Sequence, residues 1–170
     1  MRSPEFISLD LVFYKAENEK KRHIWEDGWF SQKIADHAQG EHSHVEFKFV
    51  FSDGSVECFS SSERDGGSRF KSGALVLKHP ERWSSIHVTR DPLLIQNVYN
   101  FCCDQQGKKY DWWGVIRFKL SFIKEDEERW YCSEVTQAAL HKVGLFPRLY
   151  SIHPEDMYRI ARFIFDKKKE

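Results

Sequence analysis

A cysteine at a predicted helix start is the residue of this chain best suited to chemistry. The segment 130–135 runs from two aromatic residues into Cys132, and apolar residues at helical spacing predict a helix over 133–143 that stops at Gly144. Free backbone N–H groups and the positive end of the helix dipole favour a thiolate there, which is the nucleophilic form of cysteine. Cys132 is therefore a candidate nucleophile, against the alternative of a small buried hydrophobic residue.

A cysteine nucleophile needs a base, and His44 is the candidate. It lies near the start of a predicted strand over 42–51, on the face opposite Val45, Phe47 and Phe49. A hairpin turn signal at positions 53–54 predicts that the next strand returns alongside, so Glu57 is expected near His44. A carboxylate there would fix the imidazole tautomer and favour the imidazolium form.

Three alternatives to this arrangement stay open. Ser60 is the third member of the site if the strand register differs from the expected one. His42 is expected on the same strand face as His44 and competes with it for the role of base. The two histidines could also form a metal clip, but the sequence offers no third ligand at a suitable spacing, so neither a metal nor another cofactor is expected.

The elements that must position these residues are strands first and mostly helices later. Strands are predicted over 7–14, 42–51, 55–60, 68–71 and 83–88, and helices over 28–37, 93–106, 133–143 and 151–166, with 110–120 partly helical. This order predicts an α+β domain with an antiparallel sheet. We place the domain at 7–166, because residues 1–6 resemble a cloning-site linker and residues 167–170 form a polar tail.

Composition limits the classes of function. The chain of 170 residues suits one domain, and its zero net charge argues against nucleic-acid binding driven by bulk charge. Four cysteines, of which Cys102 and Cys103 are adjacent, do not form a disulfide framework. No signal peptide or transmembrane stretch is evident, so a cytoplasmic location is expected.

Two segments resemble a known family. Tyr110-Asp111-Trp112-Trp113-Gly114, followed by Trp130-Tyr131-Cys132-Ser133-Glu134-Val135, resembles the cysteine segment of NlpC-type papain-like hydrolases. In those enzymes the histidine-bearing strands follow the cysteine, whereas here Ser43-His44-Val45 and Val56-Glu57-Cys58 precede it. This order, with Gly66-Gly67-Ser68-Arg69-Phe70, resembles the circularly permuted branch that includes the YiiX/YaeF-like proteins and lecithin:retinol acyltransferase.

The resemblance covers roughly 42–145 and implies a permuted papain-like fold packed from an antiparallel sheet and helices. It implies Cys132 as nucleophile, His44 as general base and Glu57 as third member. It also implies that Tyr110 helps the backbone N–H of Cys132 to hold the oxyanion. Glu46 is a departure, because these proteins usually have Gly there.

The expected reaction is acyl transfer through a thioester, on an amide of a peptide or of peptidoglycan, or on a lipid ester. Tyr131, Trp112 and Trp113 are expected to line the substrate. The alternative is a non-catalytic module on the same fold that binds a lipid or a partner protein. Its motivation is this aromatic cluster together with Trp130, although aromatic residues of this kind often serve only core packing.

Overall fold

The computed structural model describes residues 5–16, 40–111, 129–149 and 152–166. Within these ranges the chain forms seven strands, four α-helices and two short 3-10 turns, which makes it an α+β protein. The strands are β1 (Phe6–Lys15), β2 (His42–Phe51), β3 (Val56–Ser62), β4 (Gly67–Ser72), β5 (Trp83–Thr89), β6 (Lys109–Tyr110) and β7 (Arg129–Trp130). The helices are α1 (Gly73–Val76), α2 (Pro92–Gln105), α3 (Cys132–Lys142) and α4 (Pro154–Asp166).

One sheet contains all seven strands, in the order β5-β1-β2-β3-β4-β6-β7. Neighbouring strands are antiparallel except β6 and β7, which are parallel. The five predicted strands are confirmed. The predicted helix over 28–37 and most of the segment 110–120, including Trp112 and Trp113, lie outside the described residues.

Phe6 belongs to the first strand. Phe6 was assigned to a linker, but it opens β1, and its ring lies 5.0 Å from that of Phe51 and 5.2 Å from that of Tyr99. An aromatic side chain packed between a strand and a helix belongs to the fold. Phe6, which the sequence pattern places in a linker, is therefore part of β1.

The hydrophobic core lies between one face of the sheet and the helices α2, α3 and α4. Alternate strand residues point into it, as their period-two pattern predicts. The core members include Leu9, Leu11, Phe13, Val45, Phe47 and Phe49 from the sheet and Ile95, Val98, Val135, Ala139, Leu140, Met157 and Ala161 from the helices. Burial of these apolar surfaces fixes the helices on the sheet and hence the start of α3.

Local signals set the ends of the helices as the sequence predicts. Asp91 caps α2, its Oδ1 accepting hydrogen bonds from the N–H of Leu93 at 2.9 Å and of Leu94 at 3.3 Å. Gly144 ends α3 in the left-handed conformation, with φ of 73°, and its N–H donates to the carbonyl of His141 at 2.9 Å. None of the described helices is long and apolar enough to cross a membrane.

Candidate functional site

Cys132 is the first residue of α3. Tyr131 before it is extended, with φ of −104° and ψ of 168°, so the helix begins at the cysteine itself. The N–H of a first helical residue has no acceptor within its helix and is free to bind a negative charge. Ser133 Oγ donates to the carbonyl of Ile152 at 2.5 Å, which anchors this end of α3.

Packing also restricts the cysteine. Cys132 is 6 % exposed and belongs to the hydrophobic core cluster. Its carbonyl accepts a hydrogen bond from Thr136 Oγ1 at 2.7 Å, one turn further along the helix. The Cys132 backbone is thus fixed while its sulfur lies at the margin of the core.

His44 lies against Cys132. Burial lowers the pKa of His44, but the charge of Cys132 and a hydrogen bond with it, supported by Glu46, raise that pKa to about 9. The imidazole therefore holds its proton at neutral pH. The His44 side chain is 24 % exposed, so this pair is accessible from outside the core.

Glu46 is the carboxylate that contacts His44. Nε2 of His44 donates to Oε1 of Glu46 at 3.1 Å. Burial alone would raise the pKa of Glu46, but hydrogen bonds and charge from His44 and Arg69 lower it, so this 2 % exposed side chain is ionised. Because Glu46 engages Nε2, Nδ1 is the ring nitrogen left for the Cys132 sulfur.

Glu57 does not lie beside His44, where the sequence pattern places it. Glu57 pairs directly with Phe49, and residues directly opposite each other on antiparallel strands share a face. Glu57 therefore lies on the core face, where its Oε2 accepts a hydrogen bond from Tyr99 OH at 2.8 Å. The error is one of register, since a one-residue difference moves a side chain to the other face of the sheet.

Ser60, the alternative third member, has a structural role. It is fully buried, and its Oγ donates to the carbonyl of Val45 at 2.7 Å. On β3 it lies directly opposite Arg69 of β4. Its hydroxyl is thus committed to the backbone of the strand that carries His44.

His42 does not share a face with His44, contrary to expectation. Tyr14 of β1 pairs with His44 but the next residue, Lys15, pairs with His42, so the register shifts at Ser43. A bulge of this kind adds one residue and turns the following side chain to the opposite face. The two imidazoles are therefore directed to different sides of β2, and the two-histidine metal clip is not formed.

His42 instead joins β2 to α4. Its Nδ1 lies 2.7 Å from Oε2 of Glu155, its Nε2 lies 3.0 Å from Ser84 Oγ, and its ring stacks on that of Tyr158 at 4.0 Å. Both ring nitrogens are engaged within the core, so His42 does not compete for the role of base. Among the described residues, no three His, Cys, Asp or Glu side chains are grouped to hold a metal ion.

Tyr110 lies close to Cys132. It is buried on β6 and pairs with Trp130, two residues before Cys132. Burial, followed by the charge of Cys132, raises the pKa of the Tyr110 phenol well above its usual value. The phenol therefore keeps its proton and can donate a hydrogen bond.

The described aromatic residues at the site are largely buried. Tyr131 is 3 % and Trp130 is 8 % exposed, and Trp130 Nε1 donates to Gln105 Oε1 at 3.0 Å. Trp130 belongs to the hydrophobic core cluster, and protein atoms cover almost all of both side chains.

Sequence reasoning missed Glu46 and Arg69. The two residues form an ion pair, with Arg69 Nη2 at 2.7 Å from Glu46 Oε1. The spacing His44-x-Glu46 was a usable signal, because residues two apart on a strand share a face.

No protein-family model and no curated protein matches the sequence, so a functional assignment must come from the residues and their geometry.

Proposed function

We propose that this protein is a cysteine-dependent hydrolase or acyltransferase, with Cys132 as nucleophile, His44 as general base and Glu46 as the residue that orients the imidazole. The observation that carries the proposal is the double engagement of His44, by Cys132 on one side and by buried, ionised Glu46 on the other. Nucleophile, base and orienting carboxylate are the three parts that cysteine catalysis needs.

The chemical steps follow from these roles. His44 already holds the proton as an imidazolium beside the Cys132 sulfur, and the sulfur attacks the carbonyl carbon of the substrate, forming a C–S bond while the carbonyl π electrons move to the oxygen. As the tetrahedral intermediate collapses, the imidazolium gives its proton to the departing amine or alcohol, and a thioester remains. Water or an acceptor amine or hydroxyl, deprotonated by His44, then attacks the thioester carbonyl, the C–S bond breaks, and the sulfur is released beside the imidazolium.

Two donors are available for the oxyanion. The N–H of Cys132 has no acceptor within α3, and the protonated Tyr110 phenol lies near the sulfur. Fixed donors at such a position contribute more than donors recruited from water, because they need no reorganisation. We assign to Tyr110 the side-chain part of this oxyanion site.

The finer fold assignment belongs to the same proposal. A sheet whose histidine-bearing strand β2 precedes the cysteine-bearing helix α3 is consistent with a circularly permuted papain-like domain of the NlpC type. On that assignment the substrate carries an amide or an ester carbonyl, in a peptide, in peptidoglycan or in a lipid. The thioester route is common to all three.

Competitive alkylation tests this function. Purified protein treated briefly with substoichiometric iodoacetamide at neutral pH, then digested and analysed by mass spectrometry, should carry the label mainly on Cys132. Burial and the nearby charge of Glu46 raise the pKa of Cys58 to about 12, and burial raises the pKa of Cys102. These two thiols should react slowly.

The comparison that decides is with Cys103. This thiol is exposed, whereas Cys132 is almost buried, so access alone would direct the label to Cys103. Preferential labelling of Cys132 therefore reports chemical activation, and the label should be lost from its peptide in Cys132→Ser. Faster labelling of Cys103 than of Cys132 would contradict the proposal.

A further inference from the structure

We propose that Arg69 is a positioning residue that keeps Glu46 charged and directed at His44. The inference rests on the proposed function, since it concerns the same reactive pair, but it adds a residue from a different strand and a distinct task. Arg69 lies on β4, whereas His44 and Glu46 lie on β2, and β3 runs between them.

The contact between Arg69 and Glu46 is bidentate. Nη1 of Arg69 donates to Oε2 of Glu46 at 3.1 Å, and Nη2 donates to Oε1 at 2.7 Å. Two parallel hydrogen bonds fix the plane of a carboxylate as well as its position. Oε1 is also the atom that accepts from His44 Nε2 at 3.1 Å, so Arg69 sets the direction in which the imidazole is held.

The Arg69 side chain crosses β3 to contact Glu46, and β3 leaves room for it. Ser60 of β3 lies directly opposite Arg69 and carries a small side chain whose hydroxyl donates to the carbonyl of Val45 at 2.7 Å. The guanidinium can therefore pass beside Ser60 to reach Glu46 on the next strand. A larger residue at that position would occupy the path.

Arg69 is itself held from the other side. Its Nε donates to Oδ2 of Asp65 at 2.6 Å, and Lys71 pairs with the other oxygen of the same carboxylate. Asp65 closes the 3-10 turn Glu63–Asp65 just before β4 begins. The guanidinium thus joins two carboxylates, and its side chain has little freedom to leave Glu46.

The electrostatic consequence is on Glu46. This carboxylate is 2 % exposed, and burial alone favours its neutral form. The positive charges of Arg69 and His44 reverse that preference. If Glu46 became protonated it would no longer stabilise the imidazolium, and the activation of Cys132 would weaken.

The test combines two readouts on matched variants. The ¹³C shift of the Glu46 carboxyl is followed by NMR during a pH titration, and the iodoacetamide reaction of Cys132 is timed over the same pH range. Arg69→Met removes the charge and both hydrogen bonds. Lys48→Met is the control, because Lys48 follows Glu46 by two residues on β2 but pairs with Asp10 at 3.1 Å.

In Arg69→Met the Glu46 titration should move to higher pH, and Cys132 alkylation at about pH 5 should fall about tenfold. Arg69→Lys keeps a positive charge near Glu46 but loses the two parallel hydrogen bonds of the guanidinium. The Glu46 titration should therefore stay near that of the parent protein, whereas the alkylation rate of Cys132 should fall at every pH. Lys48→Met should match the parent in both readouts. A purely structural role would lower the unfolding midpoint and leave both profiles in place.

The outcomes separate this inference from the proposed function. Selective labelling of Cys132 in the parent protein, with identical profiles for Arg69→Met and Lys48→Met, would overturn the role of Arg69 alone. Faster labelling of Cys103 than of Cys132 in the parent protein would overturn both. If Arg69→Met does not fold, Asp65→Asn frees one side of the guanidinium, and the same shifts, smaller in size, are expected; their absence would overturn the inference.

Discussion

His44 donates a hydrogen bond to Glu46 from two positions earlier on the same strand, at 3.1 Å between Nε2 and Oε1. The proposed base and its proposed orienting carboxylate are therefore neighbours along β2, and their contact does not depend on the register between β2 and β3. The contact between Cys132 and His44 is the one that joins residues far apart in the sequence, and it forms when α3 packs against the sheet.

We expect Glu46→Gln to lower the alkylation rate of Cys132 at neutral pH by about tenfold, because it removes a charge-assisted hydrogen bond worth about 1.5–3 kcal/mol from the imidazolium. Glu57→Gln makes the same chemical change on the neighbouring strand. It should leave the rate unchanged, since its contact is with Tyr99 OH at 2.8 Å on the core face.

Mass spectrometry of the Cys132 peptide after timed alkylation measures both variants. A titration of the His44 ring by NMR supplies the second readout: the pKa of about 9 should fall in Glu46→Gln and stay in Glu57→Gln. If Cys132 is alkylated slowly in Glu57→Gln and at the parent rate in Glu46→Gln, then Glu57, as the sequence pattern predicts, is the carboxylate that supports His44.

These two glutamates separate the part of the site that local sequence patterns predict from the part that depends on tertiary structure. The helix start at Cys132, the strand that carries His44 and their order along the chain could all be predicted from local patterns. The third member could not, because its choice depends on the register of β2 and β3, where Phe49 faces Glu57. Glu46, to which the sequence pattern gives no role, is the carboxylate that contacts His44.

His42 presents a second limit of the same kind. Regular alternation places it with His44, but the shift of register at Ser43 separates them. Nothing in the local sequence marks this bulge, because it is stabilised from a distance by Glu155 of α4, which holds the N–H of His42 at 3.1 Å and its ring at 2.7 Å.

The unfolding free energy should depend on pH through His44. Its pKa is about 9 in the folded protein and 6.5 ordinarily, so the folded state binds the proton more tightly. The resulting stabilisation is fully present below about pH 6.5 and is lost as the pH rises through about 9. We expect a loss of about 1–3 kcal/mol over this window, reduced from the ideal value because the ring is partly exposed.

Urea unfolding at intervals across the window measures this dependence, with His44→Gln as the control that lacks the titrating group. The difference in unfolding free energy between the parent protein and His44→Gln should shrink as the pH rises. Two stability curves that run parallel across the whole window would show that the proton on His44 does not contribute.

Glu155→Gln should reduce the unfolding free energy at neutral pH by about 2 kcal/mol, because its charged oxygen accepts hydrogen bonds from two backbone N–H groups and from His42. Burial raises the pKa of Glu155, but the bonds from His42 and the charge of Arg159 lower it overall. The stabilisation is thus present above the ordinary glutamate pKa and is lost as the pH falls, so the deficit should shrink in acid.

Asp156→Asn is the matched control, because Asp156 is also in the first turn of α4 but is exposed. It shares the helix-dipole contribution and lacks the contacts to β2, so its cost should be about 0.5 kcal/mol or less. Cys132 alkylation should be normal in both variants. If Glu155→Gln and Asp156→Asn lower the unfolding free energy equally, the hydrogen bonds between Glu155 and His42 do not contribute to stability.

Gly67→Ala should disturb both stability and reactivity, because Gly67 joins β4 to the strand that carries Tyr110. Its φ is +152°, and an added Cβ would lie 2.0 Å from the carbonyl oxygen of Lys108, a backbone atom that cannot turn aside. Gly66 beside it has φ of +74° and open space around the same position. Gly66→Ala should therefore lower the unfolding free energy by about 1–2 kcal/mol, through the strain of a left-handed backbone alone. Gly67→Ala should lower it further, because the added Cβ also clashes.

The two variants separate strain from displacement. Gly67 pairs with Lys109, and the next residue, Tyr110, pairs with Trp130 just before Cys132. Pushing β6 away from β4 should move the Tyr110 phenol and the approach to α3, so the alkylation rate of Cys132 should fall in Gly67→Ala and hold in Gly66→Ala. Urea unfolding and timed alkylation measure the two effects; a Gly67→Ala protein that is destabilised but alkylated at the parent rate would show that Tyr110 does not depend on this junction.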